Sequence, residues 1–78
     1  MVVAGVLIKT KPGTTKKVLD AIRGKEGIAY AYAVFGRYDI VATLKDIASI
    51  DEVARVVTES IATVEGVVST ETLITANI

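Results

Sequence analysis

The stretch Ile28-Ala29-Tyr30-Ala31-Tyr32-Ala33-Val34-Phe35-Gly36-Arg37-Tyr38-Asp39-Ile40-Val41-Ala42-Thr43-Leu44 decides how the rest of the chain is read. It holds two runs of apolar, β-branched and aromatic residues on either side of Gly36-Arg37. Such runs are strands, and a glycine between them supplies the backbone freedom of a turn. The reading is a hairpin, with one strand over 28–35, a short turn at Gly36-Arg37 and a second strand over 38–44.

Working outward, residues 2–9 form another β-branched run, which Pro12-Gly13 breaks. Thr14 or Thr15 then stands where it can cap a helix. The apolar face of that helix is Val18, Leu19 and Ile22, with Ala21 beside them, and Gly24 and Gly27 bracket its end. Beyond the hairpin, Ser49-Ile50-Asp51-Glu52 is a capping box. Ile50, Val53, Val57, Ile61 and Val64 follow at spacings of three and four and make one apolar stripe of a second helix. Gly66 stops that helix, and residues 67–75 make the last strand.

The order β-α-β-β-α-β closes best as a four-stranded antiparallel sheet with both helices on one face, a ferredoxin-like α+β fold. Right-handed crossovers place the two helices on the same side. The 78 residues make a single domain spanning 1–78.

The strand period of two raises a second expectation. Val2, Ala4, Val6 and Ile8 oppose Val3, Gly5 and Leu7; Ala29, Ala31, Ala33 and Phe35 oppose Ile28, Tyr30, Tyr32 and Val34. Both sides are largely apolar, whereas a sheet with one wet face alternates apolar and polar residues. Hydrophobic residues make up 51% of the chain, hard to hide inside one small monomer. The second face is therefore expected to pack on another copy, sheet to sheet, in a two-fold dimer.

Composition excludes several classes of chemistry. The chain has no Cys, His or Trp, which removes disulfides, the usual structural zinc sites and Ser–His or Cys–His nucleophilic catalysis. Lys11-Pro12-Gly13-Thr14-Thr15-Lys16 lacks the glycines of a phosphate loop, and no spaced carboxylates suggest Mg²⁺ or Ca²⁺. Neither a metal nor another cofactor is expected, and a lone Asp39 without a second acid–base group does not make an enzyme. Nine basic and nine acidic residues cancel, so no direct contact with nucleic acid is expected. Tyr30 and Tyr32 lack the basic surroundings of an RNA-binding sheet. No apolar run approaches the roughly 20 residues of a membrane span, and Met1-Val2-Val3-Ala4-Gly5 does not read as a signal peptide. A cytoplasmic location is the expectation.

The first strand followed by Lys11-Pro12-Gly13, the segment Tyr32-Ala33-Val34-Phe35-Gly36-Arg37-Tyr38-Asp39-Ile40, the capped second helix, and Gly66-Val67 with Thr70-x-Thr72 together resemble the effector-binding domain of the Lrp/AsnC transcriptional regulators. The resemblance covers nearly the whole chain. It implies a domain that dimerises through its sheets, with dimers assembling into rings, often octamers, and small amino-acid effectors bound between dimers. The full regulators of that family carry an N-terminal helix-turn-helix domain. Here the first strand begins at once, so the expectation is an effector module without a DNA-binding domain, acting on full-length regulators by co-assembly.

The residues that the resemblance points to are Gly36, Arg37, Tyr38, Asp39, Thr70 and Thr72. Asp39 could accept from an effector's ammonium, and Thr70, Thr72 or amides near Gly36 could meet its carboxylate. Tyr38 could wall a side-chain pocket, and Arg37 could take a ligand carboxylate or pair with a neighbouring subunit. Each residue also has a plain structural role: Asp39 in ordering the turn, and the β-branched threonines in a strand. The alternatives are an ACT-like amino-acid-binding domain, with its ligand near Pro12-Gly13, and a dimeric α+β-barrel enzyme.

Overall fold

The computed structural model describes residues 3–45 and 48–75. Its elements run β1 (Ala4–Thr10), α1 (Thr15–Arg23), β2 (Ile28–Ala33), β3 (Ile40–Leu44), α2 (Ile50–Val56) and β4 (Val67–Ile74), with a π-helical turn over Val57–Ile61 continuing α2. The strands form one sheet in the order β2-β3-β1-β4, and every adjacent pair is antiparallel. This is the expected ferredoxin-like β-α-β-β-α-β fold. Val2, expected at the start of the first strand, lies outside the described residues.

The core lies between the helices and one face of the sheet. β1 contributes Ala4, Val6 and Ile8, β3 contributes Ile40, Ala42 and Leu44, and α1 contributes Val18, Leu19 and Ile22, all buried. The three positions expected on the inner face of α1 are the three that are buried, while Ala21 is exposed. On the second helix, Val53, Val57 and Ile61 are buried and Val64 is partly so. Ile50, expected in the same stripe, is 64% exposed. The π turn, closed by Ala62 N–H donating to the Val57 carbonyl at 2.8 Å, changes the winding beneath these residues. Residues four apart drift around a regular α-helix; one wider turn brings Val57 and Ile61 back over the sheet.

The two helix starts differ. Ser49 has an extended backbone, its hydroxyl oxygen accepts from the Glu52 amide at 3.3 Å, and the Glu52 carboxylate accepts from the Ala48 amide at 3.2 Å. The capping box therefore forms, its return bond reaching one residue beyond the cap. Thr14 makes no side-chain cap. Its backbone is already helical, and its hydroxyl donates to the Lys11 carbonyl at 2.7 Å. A capping side chain needs an extended backbone to reach forward, which Thr14 lacks.

Two expectations for the hairpin are corrected. First, Ile28 does not share a face with Tyr30 and Tyr32. An irregularity between Ile28 and Tyr30 puts Ile28 opposite Leu44 in the core and leaves Ala29 exposed. A bulge inserts one residue and reverses the parity on one side of it. Second, the turn is wider than Gly36-Arg37: residues 34–39 connect the strands, closed by Val34 N–H donating to the Asp39 carbonyl at 2.9 Å.

The other face of the sheet carries Gly5, Leu7 and Lys9 from β1, Tyr30 and Tyr32 from β2, Val41 and Thr43 from β3, and Ser69, Glu71 and Leu73 from β4. No helix covers it. Tyr30 and Tyr32 are 64% and 55% exposed, and their rings lie nearly parallel with centroids 6.3 Å apart. The face is apolar at its centre, with Lys9 and Glu71 among its charges.

Candidate functional site

Asp39 is the organising residue of one end of the sheet. Its amide donates to the Ile8 carbonyl at 2.9 Å. Its Oδ2 accepts from the Thr10 amide at 2.9 Å and from the Thr10 hydroxyl at 3.2 Å. Thr10 Oγ1 and Thr15 Oγ1 share a further hydrogen bond of 2.8 Å, which carries the network into the first turn of α1. Thr10 is the one buried polar residue among those described, at the fourth inward position of β1 after Ala4, Val6 and Ile8. A buried hydroxyl needs partners, and Asp39 and Thr15 supply them. The carboxylate thus replaces a strand as the acceptor for the last amide of β1. That is why β3 begins only at Ile40 and the connection is wide.

The Thr10 amide is the chief cause that holds the Asp39 carboxyl below its ordinary value of 3.8; partial burial opposes this, and the Thr10 hydroxyl and the charge of Lys9 reinforce it. A depressed folded value means the unfolded chain binds the proton more readily, so stability rises with pH across this range. The contribution of Asp39 is fully present above pH about 4 and is lost as pH falls through the lower folded value. Thermal unfolding followed by circular dichroism from pH 6 to pH 2 is expected to show this loss in the wild type. Asp39→Asn should flatten it; equal slopes in both proteins would remove Asp39 from the acid response.

The remaining candidate residues sit at the same end but on different faces. Arg37 and Tyr38 line an open hollow of about 390 Å³ together with Lys9 and Ser69. Lys9 and Ser69 are register partners on the helix-free face. Thr70 pairs with Ile8 and Thr72 with Val6, so both threonines belong to the helix-bearing side of β4, with Thr70 partly buried and Thr72 exposed. Gly36 is exposed at a φ of 140°, and a Cβ there would meet nothing within 4 Å. Asp39 and Thr70 flank β1 at the level of Ile8, while the sheet itself separates the threonines from the Arg37–Tyr38 hollow. One chain does not gather the six into one pocket.

Lys9, Thr10, Thr15 and Ser69 belong to this end and were missed in the sequence. Thr10 carried a signal, a polar residue in the inward parity of an otherwise apolar strand. Lys9 Nζ donates to the Arg37 carbonyl at 3.4 Å, and nothing in the sequence announces that contact. A smaller hollow of about 220 Å³ lies elsewhere, between the α1–β2 connection and the second helix, lined by Glu26, Glu52, Arg55 and Glu59 among others. Among the described residues no group of three potential ligands could hold a metal ion, and no helix is long and apolar enough to cross a membrane.

The fold is a small ferredoxin-like α+β domain. The Lrp/AsnC ligand binding domain profile matches residues 3–77, and the chain belongs to that family, whose domains are regulatory and not enzymatic. Among solved structures, TTHA0845 from Thermus thermophilus superposes with a TM-score of 0.89 at 35% identity, over 100% of this chain and 96% of that one. AsnC of E. coli matches with a TM-score of 0.87 at 27% identity, over 99% of this chain and 52% of that protein, so this chain spans about half of AsnC. The fold is shared with the transcriptional regulator NMB0573 of Neisseria meningitidis, solved as a complex with L-Met, at a TM-score of 0.81 and 10% identity over 97% of this chain and 50% of that one. No curated protein sequence matches the chain.

Proposed function

We propose that the chain is a cytoplasmic regulatory module that pairs with a second copy through its helix-free sheet face and takes a free amino acid at a boundary between subunits. The carrying observation is the split of the candidate residues across two faces in a chain that belongs to a ligand-binding family. A site divided in this way becomes enclosed only when another copy covers it. Asp39 Oδ1 has no hydrogen bond among the described residues, so that oxygen is open to an ammonium while Oδ2 holds Thr10. Arg37 and Lys9 offer cations to a carboxylate. The L-Met complex of the Neisseria regulator, which shares the fold, supports an amino acid as the ligand class.

Dimers assembling further into rings such as octamers would supply the boundaries. The same surfaces would admit full-length regulators, since half of AsnC has this fold. The module would then act on transcription through mixed assemblies and not through its own contact with DNA. A mixture with a full-length family regulator that yields no hetero-oligomer would end the co-assembly reading.

The effector is found by a thermal-shift screen against the twenty amino acids. A ligand at 100 times its dissociation constant adds about 2.7 kcal/mol of stability. The expected result is a selective rise in Tm with one class of amino acid, abolished in Asp39→Ala. No shift with any amino acid, in a protein that melts within range, would defeat the effector reading.

A further inference from the structure

The helix-free face has a notch at the end of the sheet away from Arg37 and Tyr38. Gly5 of β1 stands there between Thr43 of β3 and Leu73 of β4. It lies four residues along β1 from Lys9, about 14 Å at the usual rise of a strand. Val3 and Thr75 close the outer end, with Thr75 N–H donating to the Val3 carbonyl at 2.9 Å. The hollow over Gly5 has a volume of about 300 Å³, and no charged residue lines it.

Two residues of this notch lack a reason within the chain. The first is Gly5. Its φ is not positive, no bulge interrupts its pairing, and a Cβ there would meet only the Ala42 carbonyl at 3.6 Å, an ordinary contact. A glycine inside a strand weakens it, and where no bend or bulge asks for one it marks the close approach of a ligand or another backbone. The second is Thr43. Its hydroxyl is buried without a hydrogen-bond partner, the one side-chain polar atom so placed among the described residues. Such burial is costly, and a native fold normally supplies the partner. No bond holds the hydroxyl in its rotamer, so one staggered step of χ1 turns it to a group offered in the hollow that Thr43 lines.

We infer that the notch over Gly5 is a second binding site, for a small neutral molecule with an apolar body and one hydroxyl, carbonyl or amide group that pairs with Thr43. The uncharged lining sets the first requirement, because an ammonium or carboxylate would lose water there and meet no opposite charge. Val3 and Leu73 set the apolar body, and the single unpartnered hydroxyl sets the single polar group. A free amino acid, which carries both charges, does not fit this site. The inference rests on neither the pairing of copies nor the effector reading, since one chain forms the hollow by itself.

Benzyl alcohol and toluene serve as probes, alike but for the hydroxyl. Each is titrated into isotope-labelled protein while the amide resonances are followed, with light scattering on the same samples. The expected result is saturable shifts at Gly5, Thr43 and Leu73. Thr43→Val should weaken benzyl alcohol about threefold to tenfold and leave toluene unchanged. Gly5→Val fills the notch and should abolish both, with circular dichroism to verify the fold; Gly5→Ala, whose Cβ the backbone accommodates, should weaken both. Shifts that do not saturate, or that fall at the Arg37–Tyr38 end, would overturn the inference. So would a Thr43→Val protein that binds both probes as the wild type does or loses both equally, because the hydroxyl would then anchor nothing. Binding that appears only on dilution to the monomer would assign the notch to a second copy and overturn it as well.

Discussion

Leu7→Lys is expected to turn an associated protein into a folded monomer. Leu7 stands on the helix-free face, in register with Val41 of β3 and Glu71 of β4. It makes no part of the buried core, which the opposite side of β1 supplies through Ala4, Val6 and Ile8. In an isolated chain a lysine at this position keeps its ammonium in water and gains an opposite charge on the adjacent strand, a mildly favourable cross-strand pair. Between two packed sheets the same ammonium would lose its water. Taking an ammonium out of water costs several kcal/mol, which the neighbouring Glu71 carboxylate, itself desolvated there, offsets only in part, and two-fold symmetry introduces the cost twice. At about 1.4 kcal/mol per factor of ten, dimerisation should weaken by two or more orders of magnitude.

Size-exclusion chromatography with light scattering at micromolar concentration reads the mass, and circular dichroism confirms the fold. A wild type that is monomeric under these conditions would sink the dimer outright. A Leu7→Lys protein that keeps the wild-type mass would place the interface on another surface.

Gly66→Ala should carry the largest cost to folding among the small substitutions. Gly66 joins the second helix to β4 at a φ of 104°, and its carbonyl accepts from the Lys11 amide at 2.8 Å. A Cβ there would lie 2.8 Å from Val18 Cγ2 and 3.0 Å from Thr14 Oγ1. Val18 is fully buried in the core and cannot withdraw without opening space elsewhere. The left-handed backbone costs an alanine about 1–3 kcal/mol, and crowding in a packed core costs a similar amount, so roughly 2–6 kcal/mol is expected in total. At about 4–8 °C per kcal/mol for a domain of this size, Tm should fall by about 8 °C or more.

Gly13→Ala is the control. Gly13 has a φ of 82°, yet a Cβ there would meet nothing within 4 Å. It should bear the backbone term alone, and the difference in Tm between the two variants measures the crowding. Equal losses would mean that the core around Val18 yields freely.

The order of elements, the inner face of α1 and, apart from Ile50, that of the second helix were legible in the chain because each follows from a local period. The candidate end of the sheet was only half legible. Gly36, Arg37, Tyr38 and Asp39 were found as a segment, but their partners Lys9, Thr10, Thr15 and Ser69 come from other elements. Thr10 and Asp39 are twenty-nine residues apart and meet only because β1 and β3 are neighbours. The width of the β2–β3 connection follows from that meeting. A carboxylate that caps a neighbouring strand stops the ladder where a turn rule would continue it.

By itself the sequence determined a β-α-β-β-α-β chain with a capped second helix and more apolar sheet surface than two helices can cover. Periods of two and of 3.6 are written residue by residue and survive any tertiary arrangement. The tertiary structure decided which residues share a face and a neighbourhood. A bulge beside Ala29 moved Ile28 into the core, Ile50 at the first position of α2 stayed outside, and a π turn kept Ile61 within. Strand register set Thr70 and Thr72 on the opposite side of the sheet from the hollow at Tyr38. Register and bulges are fixed by packing and hydrogen bonding between elements distant in sequence, where no local pattern records them.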